Sequence, residues 1–269
     1  MNMISLSAFD LSIASLLIIL LAFLSLMLKL DLAGQIIIAA IRTVVQLLLV
    51  GLLLKLLFTK VDLLFISILS VVMLLIAGRE VMARQERRFG GWWGYGLGTM
   101  SMFISSFALT VYALVIVIGT EPWYTPQYAI PLLGMMLGNT MTGVALALDR
   151  LTSSAWQQRQ VIEARLILGQ DWRTAIGGIT RESVRTGMMP MINAMAAAGI
   201  VSLPGMMTGQ ILSGTDPLEA VKYQILIMFL ITAGTGFATM LATWVGAKHL
   251  FDDRQRLRLE RLKVRNKTI

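Results

Sequence analysis

The sequence contains no cysteine and only one histidine among its 269 residues. Disulfides, cysteine-ligated zinc, iron–sulfur clusters and haem held by two histidines are therefore excluded. Charged residues are also scarce, at 14%, whereas apolar residues make up 57% of the chain. Apolar runs as long as a bilayer is thick recur along the sequence, so the composition predicts an all-α polytopic membrane protein.

Missing motifs exclude further classes of function. The sequence has no Walker A loop, which needs a glycine, four residues and then Gly-Lys-Ser or Gly-Lys-Thr. The apolar runs also lack the Ser/His pair, paired Asp or zinc motif of an intramembrane protease. They lack the mid-span Asp or Glu that a transporter driven by an ion gradient would normally use. We therefore predict that the chain is not an enzyme and carries no cofactor of its own.

The apolar runs predict seven spans within a single transmembrane domain that covers residues 1–269, with no separate soluble domain. The predicted spans are Leu11–Leu28, Ile36–Leu57, Val61–Ala77, Leu97–Ile118, Ala129–Leu148, Met188–Leu212 and Ile225–Val245.

Basic residues are distributed unevenly between the two sets of connections. One set holds only Lys55, Lys60 and Lys222, whereas the other holds most of the remaining basic residues, including six Arg from Arg150 to Arg185. The Lys/Arg bias places the basic set in the cytoplasm, with the N-terminus outside and the C-terminus inside. We attribute the net charge of +8 to this topology rather than to nucleic acid. The basic tail, about 248–269, is expected to contact anionic membrane lipid, or else a partner.

The cytoplasmic connection at about 149–187 is predicted to be a helix, a tight turn and a second helix. Ser153 or Ser154 could cap the first helix, and Gly169 suits its C-terminal cap. Asp171 suits the N-cap of the second helix, which would begin at Trp172. An apolar face made of Ile162, Leu166 and Ile167 indicates docking, either onto the bundle of this chain or onto a partner.

The same connection resembles the cytoplasmic loop of ABC-importer membrane subunits. That loop begins Glu-Ala-Ala, with Gly six residues after the Glu and Ile ten residues later. Here Glu163, Ala164, Arg165, Gly169 and Ile179 stand at those offsets. The pattern then departs, because Arg181-Glu182 replaces the expected Leu-Pro.

Over nearly its whole length the chain resembles the FetB-type iron-export permeases. The resemblance is carried by RTVVQLLLVGLLLKLLF, IPLLGMMLGNTM and VSLPGMMTGQILSGTDPLEAVKYQI. It implies the permease subunit of an ABC transporter in a bacterial inner membrane. Two copies of the permease would work with a separate ATP-binding subunit, which would hold ATP and Mg. Iron, or a related metal ion, would be exported. Plant members are linked to aluminium tolerance and to UDP-glucose transport, so a permease for a nucleotide sugar or another small solute is the alternative.

Under this resemblance the coupling element would comprise Glu163, Ala164, Arg165, Gly169 and Asp171. Polar side chains inside the spans are candidates for the transport pathway, because such groups usually face a cavity or another helix. Arg42 and Gln46 share a face of the second span, although Arg42 could instead extend to the headgroups. Asn139 stands beside a Gly-x-x-x-Gly pair, Gly134 and Gly138, for which close helix packing is the favoured interpretation.

The predicted sixth span contains Asn193, Ser202 and Pro204. Pro204 would remove the helical hydrogen bond to the carbonyl of Ile200. Ser202–Met207 is therefore predicted to be a broken helix that lines the pathway, or a kink packed against its neighbours. Met206 and Met207 belong to a group of methionines in the fifth and sixth spans. Thioethers favour Cu(I) over hard iron ions, so core packing is favoured over metal binding for this group.

Overall fold

The computed structural model describes residues 7–59 and 62–264, and helices dominate these ranges. Six helical segments are long and apolar enough to cross a membrane. They are α1 (Ala8–Met27), α2 (Ala33–Thr59), α3 (Leu63–Arg84), a composite helix (Gly91–Ile118), α6 (Pro126–Gln157) and α10 (Pro217–His249). The prediction of an all-α polytopic membrane protein is confirmed. Val61, the predicted start of the third span, lies outside the described residues, as do residues 265–269 of the tail.

Short polar side chains define where several of the spans begin. Ser7 and Asp10 form a reciprocal capping box at α1, in which each side chain accepts a hydrogen bond from the other residue's backbone N–H. Asp62 caps α3, and Asp216 caps α10 through the N–H groups of Leu218 and Glu219. These caps satisfy backbone donors that apolar neighbours could not.

The fourth predicted span is a composite helix. It comprises α4 (Gly91–Met102), a π-helical turn (Phe103–Phe107), α5 (Ala108–Tyr112) and a second π-helical turn (Ala113–Ile118). The first wide turn buries two successive hydroxyls toward different helices. Ser105 donates to the carbonyl of Gly234 in α10 at 2.6 Å, and Ser106 lies 3.1 Å from the hydroxyl of Thr140 in α6.

The main core lies where α3, α4, α6, α8 (Trp172–Ala197) and α10 pack together. The backbones of α6 and α8 approach each other closely at a pair of glycines. A Cβ placed on Gly187 would lie 2.5 Å from the carbonyl oxygen of Gly143 and 2.9 Å from Cβ of Ala147. Only glycine lets these two backbones approach so closely. Most side chains of α1 and α2, by contrast, are exposed in the single chain.

The predicted Gly-x-x-x-Gly contact is not where the helices pack most tightly. A Cβ on Gly138 would meet nothing within 4 Å, and one on Gly134 would meet only the Met73 methyl, at 3.3 Å. The glycines that bring two helices into backbone contact are instead Gly143, further along α6, and Gly187 of α8. Close helix packing at a glycine of α6 is therefore present, but at Gly143 and not at Gly134 and Gly138.

The predicted sixth span, Met188–Leu212, is not one helix. Its first part is the end of α8, which stops at Ala197, and its last part is α9 (Gly205–Leu212). Residues 198–204 between them are not helical. The chain therefore has a helix, a break and a second helix where one continuous span was expected.

The described part of the tail folds back onto the bundle. After α10 it turns back through a 3-10 helix (Leu259–Arg261) to β2 (Leu262–Val264). This strand pairs antiparallel with β1 (Arg87–Phe89), the connection between α3 and α4. His249 stacks on Trp93, with the ring centroids 3.5 Å apart. The single histidine therefore packs at this junction.

Candidate functional site

The connection that was predicted to be cytoplasmic forms a helical hairpin made of α7 (Arg159–Ile167) and the start of α8. Gly169 adopts a left-handed conformation, φ 87°. The N–H of Gly169 donates to the Leu166 carbonyl and that of Gln170 to the Arg165 carbonyl, at 3.0 and 3.1 Å. These bonds close the end of α7, and the positive φ is the conformation that glycine adopts without steric cost. The predicted helix–turn–helix is thus present at the predicted turn.

The start of the first helix was predicted wrongly. Ser153 and Ser154 lie inside α6, which continues to Gln157, and α7 follows after Gln158. Neither serine is an N-cap. The α6 helix therefore extends directly toward the hairpin, since the N–H of Gln158 still bonds to the carbonyl of Ser154 at 2.9 Å.

Two side chains cap the start of α8. Asp171 accepts from the N–H of Thr174, as predicted, at 3.2 Å. Hydrogen bonds from the side chain and the backbone of Thr174 lower the pKa of the Asp171 carboxyl. The second cap was not foreseen, because Gln255 of the tail accepts from the N–H of Trp172 at 3.0 Å. The tail thus satisfies a backbone donor of the hairpin.

The apolar residues of α7 divide between the bundle and the surface. Ile162 is 1% exposed in the main core, and Leu166 packs against that core. Ile167, however, is 85% exposed, and Leu168 is 80% exposed. The apolar face is therefore divided, and for Ile167 docking onto a partner stays a prediction. The α7 helix rests on its own bundle through Ile162 and Leu166, while Ile167 and Leu168 project from the tip.

The remaining predicted coupling residues lie around this tip. Glu163 and Ala164 are exposed on α7. Arg165 donates a hydrogen bond from its guanidinium to the carbonyl of Ala175 in α8, at 3.0 Å. Arg165 therefore ties the two arms of the hairpin together.

An open groove of about 720 Å³ separates the hairpin tip from the tail. On the hairpin side its wall is formed by Glu163, Leu166, Ile167, Gly169 and Gln170, and on the tail side by residues 253–257. Its lining combines apolar side chains, such as Leu166 and Leu257, with the charged side chains of Glu163, Asp253 and Arg254. This part of the site could not be predicted from the loop alone, because half of it comes from residues more than eighty positions later in the chain.

Arg42 has a partner that sequence reasoning missed. Its guanidinium lies 2.6 Å from the Glu80 carboxylate of α3, with the side chains 51% and 26% exposed. A charge-assisted hydrogen bond between neighbouring helices accounts for Arg42 without extension to the headgroups. The one feature of the sequence that could have indicated this ion pair is Glu80, just past the predicted end of the third span.

The other predicted pathway residues do not gather into one enclosed chamber. Gln46, Asn193 and Ser202 are exposed on the single chain. Asn139 is partly buried, and its amide donates back to the Met135 carbonyl of its own helix at 2.8 Å. In a bilayer, polar side chains on such an outer surface are costly unless protein or water covers them.

The break between α8 and α9 begins before Pro204. Gly199 takes φ 81°, and the N–H groups of Val201 and Ser202 both donate to the Ala197 carbonyl, at 3.0 and 3.1 Å. Ile200 already lies outside α8, which ends at Ala197. The predicted loss of a helical hydrogen bond between residue 204 and the Ile200 carbonyl is therefore not the cause of the break. Pro204 instead precedes α9 as its N-cap residue. The predicted break in the helix is therefore present, with a different cause.

The methionines serve mainly as packing residues. Met136 and Met191 are buried in an apolar core cluster, and Met206 packs against that cluster. Met206 and Met135 also line a cavity of about 50 Å³ near Tyr128 and Tyr223. Met207 is partly buried. Within the described ranges, no three His, Asp or Glu side chains form a group suited to a metal ion.

The long apolar helices define a polytopic helical membrane protein. The model of the "Uncharacterised protein family (UPF0014)" matches residues 8–251. The chain belongs to this family.

Three relatives span bacteria and plants. The UPF0014 membrane protein slr1647 of Synechocystis is 39% identical, over 85% of this chain and 87% of its own length. The probable iron export permease protein FetB of Escherichia coli is 30% identical, over 98% of this chain and 99% of its own. The protein ALUMINUM SENSITIVE 3 of Arabidopsis is 29% identical, over 86% and 83%. No solved structure matches this chain.

Proposed function

We propose that this chain is the membrane subunit of an ABC exporter that moves iron or a related metal ion, driven by a separate ATP-binding subunit. The observation that carries the proposal is the hairpin of α7 and α8, closed at Gly169, which projects from the bundle with Ile167 and Leu168 exposed. Its sequence offsets are those of a coupling loop. Because the chain has no Walker A loop, active transport requires energy from a partner that binds ATP.

The assignment of iron rests on the printed name of the E. coli relative, which matches over 98% of this chain. Charged side chains that could have indicated the sign of the cargo, a guanidinium for an anion or a carboxylate for a cation, are engaged with other groups of this chain. Arg42, which would suit an anion, is bonded to Glu80. On the opposite side, Glu219 is bonded to Lys222 at 2.6 Å, and Asp216 caps α10. A nucleotide sugar remains the alternative cargo, but no contact in the structure favours it.

The transporter is proposed to contain two copies of the permease. Gln46, Asn193 and Ser202 are exposed on the single chain, although they lie in or beside apolar segments. A second copy would cover such groups and enclose a pathway between protomers, in which the metal ion is weakly held or chelated. Following the Lys/Arg bias, the N-terminus is assigned to the outside and the C-terminus to the cytoplasm of the bacterial inner membrane.

The proposed mechanism is alternating access. Movement of the ATP-binding subunit displaces the hairpin, and α8 transmits the displacement from its N-terminus toward the break at 198–204. Gly187 lies on the way, roughly 22 Å from the start of α8 at about 1.5 Å per residue. The tight crossing of α6 and α8 at this point would convert displacement of the hairpin into tilting of α8.

Flux into inverted vesicles that contain both subunits tests the proposal. Ferrous iron, other divalent metals and UDP-glucose are compared, with and without ATP. The proposal expects ATP-dependent accumulation of iron that requires both subunits. Accumulation of UDP-glucose alone would support the alternative cargo. ATP-independent flux through the permease alone would contradict an ABC mechanism.

A further inference from the structure

The tail forms a specific loop against the hairpin tip. Asp252 accepts hydrogen bonds from the backbone N–H groups of Arg254 and Arg256, at 3.0 and 2.8 Å. The N–H of Arg258 donates to the Leu250 carbonyl at 2.7 Å. Gln255 takes φ 58°, an uncommon conformation for a residue with a side chain, and from there it caps Trp172. The loop is therefore held in one position relative to the turn.

The groove bounded by this loop has the composition of a protein interface. Ile167 supplies an exposed apolar side chain at its hairpin wall. Within residues 7–59 and 62–264, Glu163, Asp253 and Arg254 form no ion pair, whereas Arg256 is bonded to Asp252. Exposed apolar side chains next to charged side chains without an ion-pair partner are typical of a protein-binding surface.

The charges and the position of the groove indicate what it binds. The polar sequence of α7 keeps it out of the hydrocarbon layer, so lipid chains would not cover Ile167. The groove carries two carboxylates and one guanidinium that form no ion pair within the described ranges, which disfavours anionic headgroups. A complementary surface has an apolar side chain for Ile167, basic groups for Glu163 and Asp253, and an acid for Arg254.

We propose that the ATP-binding subunit binds in this groove, so that the tail segment 253–257 forms the second wall of its docking surface. The proposal rests on the proposed function and extends it from the hairpin to the tail. Gln255 acts as a positioning residue, because it fixes the tail wall against the start of α8. The ATP-binding subunit would then contact two elements that are fixed to each other, and its movement would displace the hairpin and the tail wall together.

The absence of native cysteine allows a direct test by cross-linking. Single cysteines replace Gln170 at the turn, Arg254 at the tail wall, or Lys263, an exposed control residue in β2 outside the groove. Each full-length variant is co-expressed with its tagged ATP-binding subunit in membranes and treated with a short bifunctional maleimide whose second group reacts with lysine. The expected result is cross-linking to that subunit from Gln170→Cys and Arg254→Cys, and at least about tenfold less from Lys263→Cys.

The outcomes separate the two proposals. Cross-linking from Gln170→Cys without any from Arg254→Cys would overturn the role of the tail and leave the coupling hairpin intact. Cross-linking from neither position would contradict both. Reaction of Arg254→Cys with a second permease chain instead of the ATP-binding subunit would overturn the proposed occupant.

A matched pair of substitutions tests the apolar part of the groove. Ile167 and Leu168 are adjacent, similarly exposed and aliphatic, but only Ile167 lines the groove. Ile167→Ser is expected to weaken binding of the ATP-binding subunit to the purified permease about tenfold, and Leu168→Ser clearly less. Equal effects would show contact with the tip in general and would contradict binding within the groove.

Discussion

Replacement of Gly187 by alanine tests the packing of α8 against α6 and α10. The new Cβ would lie 2.5 Å from the Gly143 carbonyl oxygen, 2.8 Å from the Thr239 methyl and 2.9 Å from the Ala147 Cβ. Two of these three neighbours have no rotamer by which they could move away. Favourable carbon contacts are near 3.5 to 4.0 Å, so α6 and α8 would have to separate by roughly 1 Å.

Overpacking of this kind typically lowers the free energy of unfolding by about 1–3 kcal/mol. Because two of the three neighbours are fixed, we expect the cost of Gly187→Ala to lie near the upper end of this range. The better helix propensity of alanine offsets about 1 kcal/mol. The net loss of about 2 kcal/mol corresponds to a fall of about 4–8 °C in the melting temperature of a chain of this size. Thermal unfolding of the purified protein in detergent, followed by tryptophan fluorescence, measures it.

Gly178→Ala is the matched control, because Gly178 lies in the same helix and a Cβ there meets nothing within 4 Å. Alanine at this position should leave stability unchanged or raise it by up to about 1 kcal/mol. If Gly187→Ala proved as stable as Gly178→Ala, the crossing would be looser than described and the reasoning refuted.

Three further predictions concern other parts of the molecule. Glu80→Gln leaves Arg42 unpaired and should lower the melting temperature in the same assay, with recovery in the double variant Arg42→Gln/Glu80→Gln. Hydrogen bonds from Arg256, through its backbone N–H and then its guanidinium, lower the pKa of Asp252. Asp252 therefore stabilises the tail above its unfolded pKa of about 3.9, and this contribution is lost as pH falls through the lower, folded value. The protection of the tail amides against exchange, corrected for the intrinsic pH dependence of the exchange rate, should thus fall on acidification below about pH 4 in the wild type, and Asp252→Asn should show lower protection already at pH 7. Pro204→Ala should reduce transport at normal expression if the break lines the pathway.

Each of these predictions has a result that contradicts it. Full stability of Glu80→Gln would show that the ion pair contributes nothing measurable. Unchanged tail exchange in Asp252→Asn would mean that the loop is held by other contacts. Normal transport by Pro204→Ala would remove the pathway role of the break and leave a structural kink.

Six of the seven predicted spans correspond to long apolar helical segments, because the length of a hydrophobic run reflects bilayer thickness directly. The predicted sixth span was wrong, since that run divides between α8 and α9. The turn at Gly169 and the cap at Asp171 were also predictable, since both depend on local backbone geometry. The cap on Trp172 was not, because its acceptor comes from Gln255, far away in sequence. The same limit applies to the groove and to the pairing of β1 with β2.

The errors have physical causes as well. Ser153 and Ser154 match a cap by residue type, but packing against the bundle carries α6 past them. The Gly-x-x-x-Gly pattern marks a surface that allows close approach, yet it does not say which helix approaches. Gly143 and Gly187 are close because three helices meet there, which no single-span pattern reveals. Arg42 lacked a visible partner because Glu80 lies on another helix.

The central claim is that the hairpin closed by Gly169 couples this permease to an ATP-binding subunit. Its most direct test is the rate of ATP hydrolysis by that subunit, measured alone, with the wild-type permease, and with a Gly169→Val permease of normal stability. Valine is strained at φ 87° and would distort the turn. We expect stimulation by the wild-type permease and little by the variant; a rate that does not change when either permease is added would contradict the account.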